Sequence, residues 1–446
     1  MFRIKTAKLL FLLAISFSLP SLALAQQPIT LKEALKYALD NNTAAKKAVL
    51  EIDKGKYKTQ EVRAQALPQL TGNVGLTYNA IIGQLVADIG GQTQSFKMGQ
   101  AWNSVAGVQL SQQLFNQQVF TGLQAARSSE AYYRLNAQLT QEQVIEQVAN
   151  NYYQVLVNRQ QLNVIDTNIK NVKVVEKIIS NQFQNGLAKK IDVDRINVNL
   201  TNLTTQREQV VNAITQQENV LKFSMGMPIN TNITLPSSEL TDVDQNPVLA
   251  DTINLDNRTE MKLMDVQRKL LDLQRKAYVS EYYPTLSLNA NYNYNSQSNS
   301  FDFLKSNRNA IGFDASAIGL TLRVPIFNGF LTRSKIRQAD VEIKQFEADR
   351  FERTNSLNMA YENAKIQLRN SLNTINAQKK NADLAREIYV STQNNYNNGL
   401  ASLTDLLDTE NSLTQAQNSY TQALLNYKIA EIQLIKSKGE ITTLAK

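Results

Sequence analysis

The chain has 446 residues and neither cysteine nor histidine, which excludes disulfide staples and removes the commonest metal ligand and general base. No nucleophile elbow, P-loop or His–Glu metal motif occurs, so no catalytic residue, cofactor or metal site is assigned. The formal charge is +8 without any basic cluster interleaved with aromatics, so nucleic-acid binding finds no support. A mean hydropathy of −0.33 argues against a helical membrane protein, but alternating barrel strands average out to such values.

Taken in chain order, the first segment is a leader. Arg3, Lys5 and Lys8 make a basic start, Leu9–Phe17 is an apolar run, and Ala23-Leu24-Ala25 is a small-residue cleavage site. Residues 1–25 therefore read as a secretory signal peptide. With no cysteine to carry a lipid, the exported chain is not expected to be a lipoprotein.

The rest of the chain divides into segments of two kinds. After Pro68 the sequence PQLTGNVGLTY alternates, with Leu70, Val74, Leu76 and Tyr78 on one face and Thr71, Asn73, Thr77 and Asn79 on the other. A polar, glycine-containing stretch at 83–100 reads as a loop, and a return strand follows at 102–114, with Trp102, Ala106, Val108 and Leu110 on one face. Between Gly122 and Gly186 there is neither glycine nor proline, and the same holds from Leu187 to Met225. Val144, Val148, Tyr152, Val155 and Leu162 keep a helical period there, in a stripe as narrow as a coiled-coil seam. A long helix, a tight turn and a returning helix follow from this, the longer helix running about 95–105 Å.

The second half repeats the first. LDNNT at Leu39–Thr43 returns as LDNRT at Leu255–Thr259, Pro68 as Pro284, LFN at Leu114–Asn116 as IFN at Ile326–Asn328, and FQNGLA at Phe183–Ala188 as YNNGLA at Tyr396–Ala401. So nearly constant an offset marks a tandem duplication. The first repeat spans 26–228, with strands about 69–80 and 102–114 and helices about 117–184 and 188–225. A linker at 229–250 joins it to the second repeat, 251–446, with strands about 285–295 and 317–325 and helices about 330–397 and 401–438.

Strands with one apolar and one polar face suit a wall between lipid and water. A half-buried soluble sheet is the competing reading, and the exported context favours the outer membrane. Four strands cannot close a barrel, and an open edge in lipid leaves backbone groups unsatisfied. Two copies would close an eight-stranded barrel filled by side chains; three copies would close a twelve-stranded one with an open pore, and three are expected. The fold class is thus a membrane β-barrel joined to a long α-helical coiled-coil barrel.

In this arrangement the chain resembles the TolC-like outer-membrane efflux protein family over nearly its whole exported length. The resemblance rests on the duplicated strand–strand–helix–turn–helix unit, the LFN and IFN strand ends and the two NGL turns. It implies a homotrimer in outer-membrane lipid with a helical tunnel in the periplasm, fed by an inner-membrane efflux pump through a periplasmic adaptor (membrane fusion) protein. It also implies that Asn185, Gly186, Leu187, Ala188 and Asn398, Gly399, Leu400, Ala401 form adaptor-docking tips. Asp405 and Asp408 match carboxylates that ring the closed periplasmic entrance, where like charges would raise their apparent pKa values. Tyr396 and Asp192 match latch positions; Ala401 stands where the family's latch carries an arginine, and Lys189 and Lys190 follow the other glycine.

The reading is a passive exit duct, not an enzyme. A type I protein-secretion channel would share this architecture. A trimeric coiled-coil scaffold or adhesin would instead show an unbroken stalk with one small anchor, and an adaptor would need β-rich flanks around a short hairpin.

Overall fold

A computed structural model describes residues 28–245, 253–301 and 310–446. The leader expected at 1–25 lies outside the described residues, and the linker expected at 229–250 is described only as far as residue 245.

Two helices precede the first strand, where the sequence reading assigned none. The first, α1 (Leu31–Asn41), starts at a capping box. The Glu33 amide donates to the Thr30 hydroxyl at 3.3 Å, and the Thr30 amide donates back to the Glu33 carboxylate at 2.8 Å. It ends at Asn42, whose extended backbone breaks the helix and whose side chain accepts from the amides of Ala44 and Ala45, opening α2 (Thr43–Ala64). LDNNT is thus a helix-to-helix junction. Its copy LDNRT is similar: Leu255–Asn257 forms a 3₁₀ turn, and Arg258 leads into a helix at Thr259–Ser280.

The main sheet has four antiparallel strands: β1 (Gln69–Tyr78), β4 (Trp102–Phe115), β5 (Thr285–Ser298) and β6 (Ile311–Arg323), in the order β1-β4-β5-β6. Its central pairing, β4 with β5, joins the two repeats. Register carries the apolar face across all four strands, because Leu70 pairs with Leu110, Leu110 with Ala290, and Ala290 with Ile318. The polar row beside it is Thr71, Gln109 and Asn291. Two expectations need correction. The 83–100 segment is not an unstructured loop: β2 (Gln84–Ile89) and β3 (Gln92–Lys97) pair there as a separate hairpin. Its two-residue turn, Gly90-Gly91, has positive φ at both positions, the geometry that suits a right-twisted hairpin. The last strand also begins at Ile311, well before 317.

Below the sheet run the long helices α3 (Gln117–Gln184) and α4 (Lys190–Met225), then the short α5 (Ser238–Thr241) and α6 (Thr259–Ser280). The second pair is α7 (Leu331–Asn397) and α8 (Leu403–Ser437). At 68 and 67 residues, α3 and α7 each extend about 100 Å. LFN opens α3 because Asn116 accepts from the Gln118 amide at 3.0 Å. No described helix is long and apolar enough to cross a membrane.

The apolar core forms two separate clusters. One, at mid-length, buries Ala34, Leu35 and Ala38 of α1 against Val144–Val157 of α3 and Leu424–Leu434 of α8. Two fully buried tyrosines tie it to the connecting segments, Tyr152 donating to the Ile29 carbonyl and Tyr427 to that of Asp244. The other cluster lies toward the far ends of the hairpins and joins Val172 and Ile179 of α3, Ile196 and Leu203 of α4, Tyr389 of α7, and Leu403, Leu406 and Leu413 of α8.

Gly226 closes α4 in the left-handed conformation (φ 72°), and its Met227 amide reaches back to the Lys222 carbonyl at 2.8 Å. A β-carbon there would meet the Asn41 carbonyl oxygen at 2.5 Å. Gly399, with φ 73°, has open space around it. Thermal melts followed by circular dichroism should therefore separate the two. Gly399→Ala should cost roughly 1 kcal/mol for left-handed backbone alone. Gly226→Ala should cost about 2 kcal/mol or more, because the α1–α2 junction must move as well.

Candidate functional site at the hairpin tips

Both hairpins turn by the same hydrogen bonds. At the first, the Leu187 amide donates to the Gln182 carbonyl at 2.7 Å and the Gly186 amide to Phe183 at 3.0 Å; at the second, Leu400 donates to Asn395 at 2.8 Å and Gly399 to Tyr396 at 3.0 Å. Gly186 and Gly399 supply the positive φ that this helix ending requires. The asparagines before them also work structurally: Asn185 Nδ2 donates to the Asn181 carbonyl at 2.8 Å, and Asn398 Nδ2 to Asn394 at 2.9 Å. Each side chain thus adds a second donor to a carbonyl that its own backbone amide also reaches, at 3.2 Å. Leu187 and Leu400 then project from the turns, 80% and 78% exposed. Ala188 packs at the edge of the distal cluster, and Ala401 is half-buried.

Asp405 is engaged within its own turn. Its carboxylate accepts from the Ser402 amide at 3.0 Å and the Ser402 hydroxyl at 2.7 Å, while the Ser402 hydroxyl accepts from the Asp405 amide. This capping box starts α8, and those hydrogen bonds hold the Asp405 carboxyl below the usual range. The upward shift expected of an acidic ring is therefore not a property of the single chain. Asp408, one turn on, is exposed in a groove of about 470 Å³ between α4 and α8, lined also by Ile191, Asp194, Arg195, Val198 and Leu407.

Tyr396 and Asp192 are brought together. Tyr396 is half-buried against the distal cluster, and its hydroxyl pKa is pushed up first by burial and then by the charge of Asp192. The hairpins are also joined by a hydrogen bond from Arg195 Nη1 on α4 to the Thr404 hydroxyl on α8, at 2.9 Å. That contact runs from a different part of the first hairpin than Lys189 and Lys190, and sequence spacing alone did not reveal Thr404.

One further group escaped the sequence reading. Glu410 is buried on α8, 4% exposed, and its Oε1 has no hydrogen-bond partner. The signal was present: Leu403, Leu406, Glu410 and Leu413 follow the three-and-four spacing of a seam, which places a carboxylate in a leucine's slot. No group of three or more acidic, histidine or cysteine side chains among the described residues is arranged to hold a metal ion.

Comparison with known proteins fits this geometry. The family described as Outer membrane efflux protein matches residues 34–227 and 253–440, one stretch in each repeat. The outer membrane protein TolC of Salmonella enteritidis is 23% identical over 470 residues, covering 97% of this chain and 87% of that protein. Among solved structures, a membrane protein from Pseudomonas aeruginosa superimposes with a TM-score of 0.74 at 16% identity over 92% of each chain. The CmeC outer membrane channel of Campylobacter jejuni gives 0.71 at 16% identity, over 92% of this chain and 86% of that one. The duplicated hairpin chain belongs to the outer membrane efflux protein family.

Proposed function

We propose that three copies of this outer-membrane efflux channel close one twelve-stranded barrel and one helical tunnel, forming an exit duct with no chemistry of its own. The observation that carries the reading is the four-stranded sheet with two free edges, β1 and β6, and an apolar row, Leu70–Leu110–Ala290–Ile318, that crosses all four strands on one face. Val74, Ile318, Leu320 and Leu322 on that face are 87%, 82%, 66% and 63% exposed, which suits lipid rather than water. Tyr78, Trp102 and Phe301 cluster at one end of the strands in tilted and edge-on contacts, with ring centroids 4.7 and 5.0 Å apart, as an interfacial aromatic girdle would. Pairing β1 of one copy with β6 of the next satisfies every edge, and three copies leave a lumen that eight strands would fill with side chains.

At the other end the hairpin tips form the periplasmic entrance. Asp405 and Asp408 of three copies gather there, with Tyr396–Asp192 and Arg195–Thr404 holding neighbouring helices together. Leu187 and Leu400 dock a periplasmic adaptor, which passes substrate from an inner-membrane pump.

Placing arginine on each face of β1 tests the barrel. Val74→Arg should prevent assembly in lipid, at about 2–4 kcal/mol for a charge at mid-membrane, whereas Asn73→Arg should assemble and conduct. Equal assembly of both, read by light scattering of the purified complex, would rule the barrel out. For the acidic entrance, Asp408→Asn should weaken block by divalent cations in planar bilayers and leave the Ser402 cap intact; an unchanged block would remove Asp408 from the entrance. Photo-crosslinkers at Leu187 and Leu400 should capture the same adaptor, while one at Val341, exposed far up α7, should not.

A further inference from the structure

Glu410 has no part in the turns, the cap or the inter-hairpin hydrogen bond, yet it sits in the seam that joins the two hairpins. Its side chain takes the place of a core leucine between Leu406 and Leu413. The apolar groups packed around that seam are Val172, Val175 and Ile179 from α3, Ile196 and Leu203 from α4, and Tyr389 from α7. Of these only Tyr389 ionises, and its hydroxyl is pushed up to about 12, by burial and then by the charge of Glu410. On α8 itself the Thr414 hydroxyl donates to the Glu410 backbone carbonyl and not to its side chain, and the carboxylate Oε1 has no hydrogen-bond partner. Unlike the buried Glu260, which is paired to Arg258 beside the C-terminal end of α8, Glu410 has no ion pair among the described residues.

A buried carboxylate with an orphan oxygen is tolerable when neutral and strongly disfavoured when ionised. We propose that Glu410 is a proton-operated spacer: protonated, it packs in the seam and holds the hairpin tips together, and ionised, it forces them apart. This rests on the reading of the tips as an entrance that opens by separating the hairpins. Opening exposes Glu410 to water, where it releases its proton to solvent.

The direction follows from linkage. Burial alone pushes the Glu410 carboxyl from 4.5 up to about 7 in the closed seam. The closed state is therefore fully favoured below about 4.5, and that advantage is lost as pH rises, being gone above about 7. Between those values the closed-to-open ratio falls about tenfold per pH unit. Asp405, Asp408 and Asp192 are present whether or not Glu410 is, so substituting Glu410 isolates its share.

Because the chain has no cysteine, Leu187→Cys with Leu400→Cys places spin labels at the two tips and nowhere else. Tip distances by pulsed electron resonance on the purified full-length protein, from pH 5 to pH 8, should lengthen with pH. Glu410→Gln, a mimic of the neutral acid, and Glu410→Leu, which fills the seam, should keep the short distance throughout. A pH-dependent lengthening of the same size in Glu410→Gln, or none in the unsubstituted protein, overturns the proposal. Conductance recorded in parallel separates it from the duct reading. Distances that respond to pH only when Glu410 is present, in a protein that does not conduct, support the spacer while sinking the duct.

Discussion

Backbone amides and carbonyls must be paired wherever water is absent. In this chain that requirement falls on the outer edges of β1 and β6. Everything else in the architecture is arranged around it. The duplication supplies four strands, whose central pair, β4 with β5, is made between the repeats and not within either. The sheet is therefore a joint product of both halves, and neither half would leave its polar backbone satisfied alone. The same junction orders the helices below, since each repeat sends one very long helix down from its return strand and one shorter helix back.

At the hairpin turns the two repeats keep the same backbone and differ in their side chains. Gly186 and Gly399 close their turns with matching hydrogen bonds, and the asparagine before each adds a second donor to a helix carbonyl. Past the turn the copies diverge. The first carries Arg195, which donates to Thr404 of the second hairpin, and Asp192, whose charge acts on Tyr396 there. The second carries Ser402 and Asp405, which close on themselves as a cap, and Glu410, which faces the seam. One copy thus contributes cross-hairpin contacts, and the other contributes a capped helix start with a carboxyl group buried behind it.

The long helices are legible in the sequence because an uninterrupted run without glycine or proline leaves few alternatives, and the strands because alternation and register agree. What escaped has physical reasons. In α2 the buried positions are Ala45, Ala48 and Gly55, with Gly55 packed against Tyr133, so small residues replace the apolar stripe that would betray a helix. In α6, the exception, the ion pairs Arg268–Glu347, Arg275–Asp340 and Arg350–Asp265 reach α7, while Leu263, Val266, Leu270, Leu273 and Ala277 keep a three-and-four spacing that was legible in the sequence and went unread. In the β2–β3 hairpin Leu85, Ala87, Ile89 and Phe96 share one face, but Gln92, Thr93, Gln94 and Ser95 make most of β3 polar, so the paired glycines are its clearest mark. At the tips the capping role of Asp405 follows from the Ser-x-x-Asp spacing. Distances between carboxylates of neighbouring copies depend on assembly and not on spacing along one helix.

The division of the core into two clusters has a mechanical side. At mid-length, α1 and the segments around Ile29 and Asp244 clamp α3 and α8 through the Tyr152 and Tyr427 hydroxyls, forming a collar around helices that run on in both directions. Each long helix is thereby a lever with its fulcrum at that collar. The arm toward the tips is held by the smaller distal cluster and a few polar bonds, and the arm toward the sheet by α2, α6 and the ion pairs. Force applied at the tips bends the weaker arm first, so the turns can move while the register of the strands stays as it is.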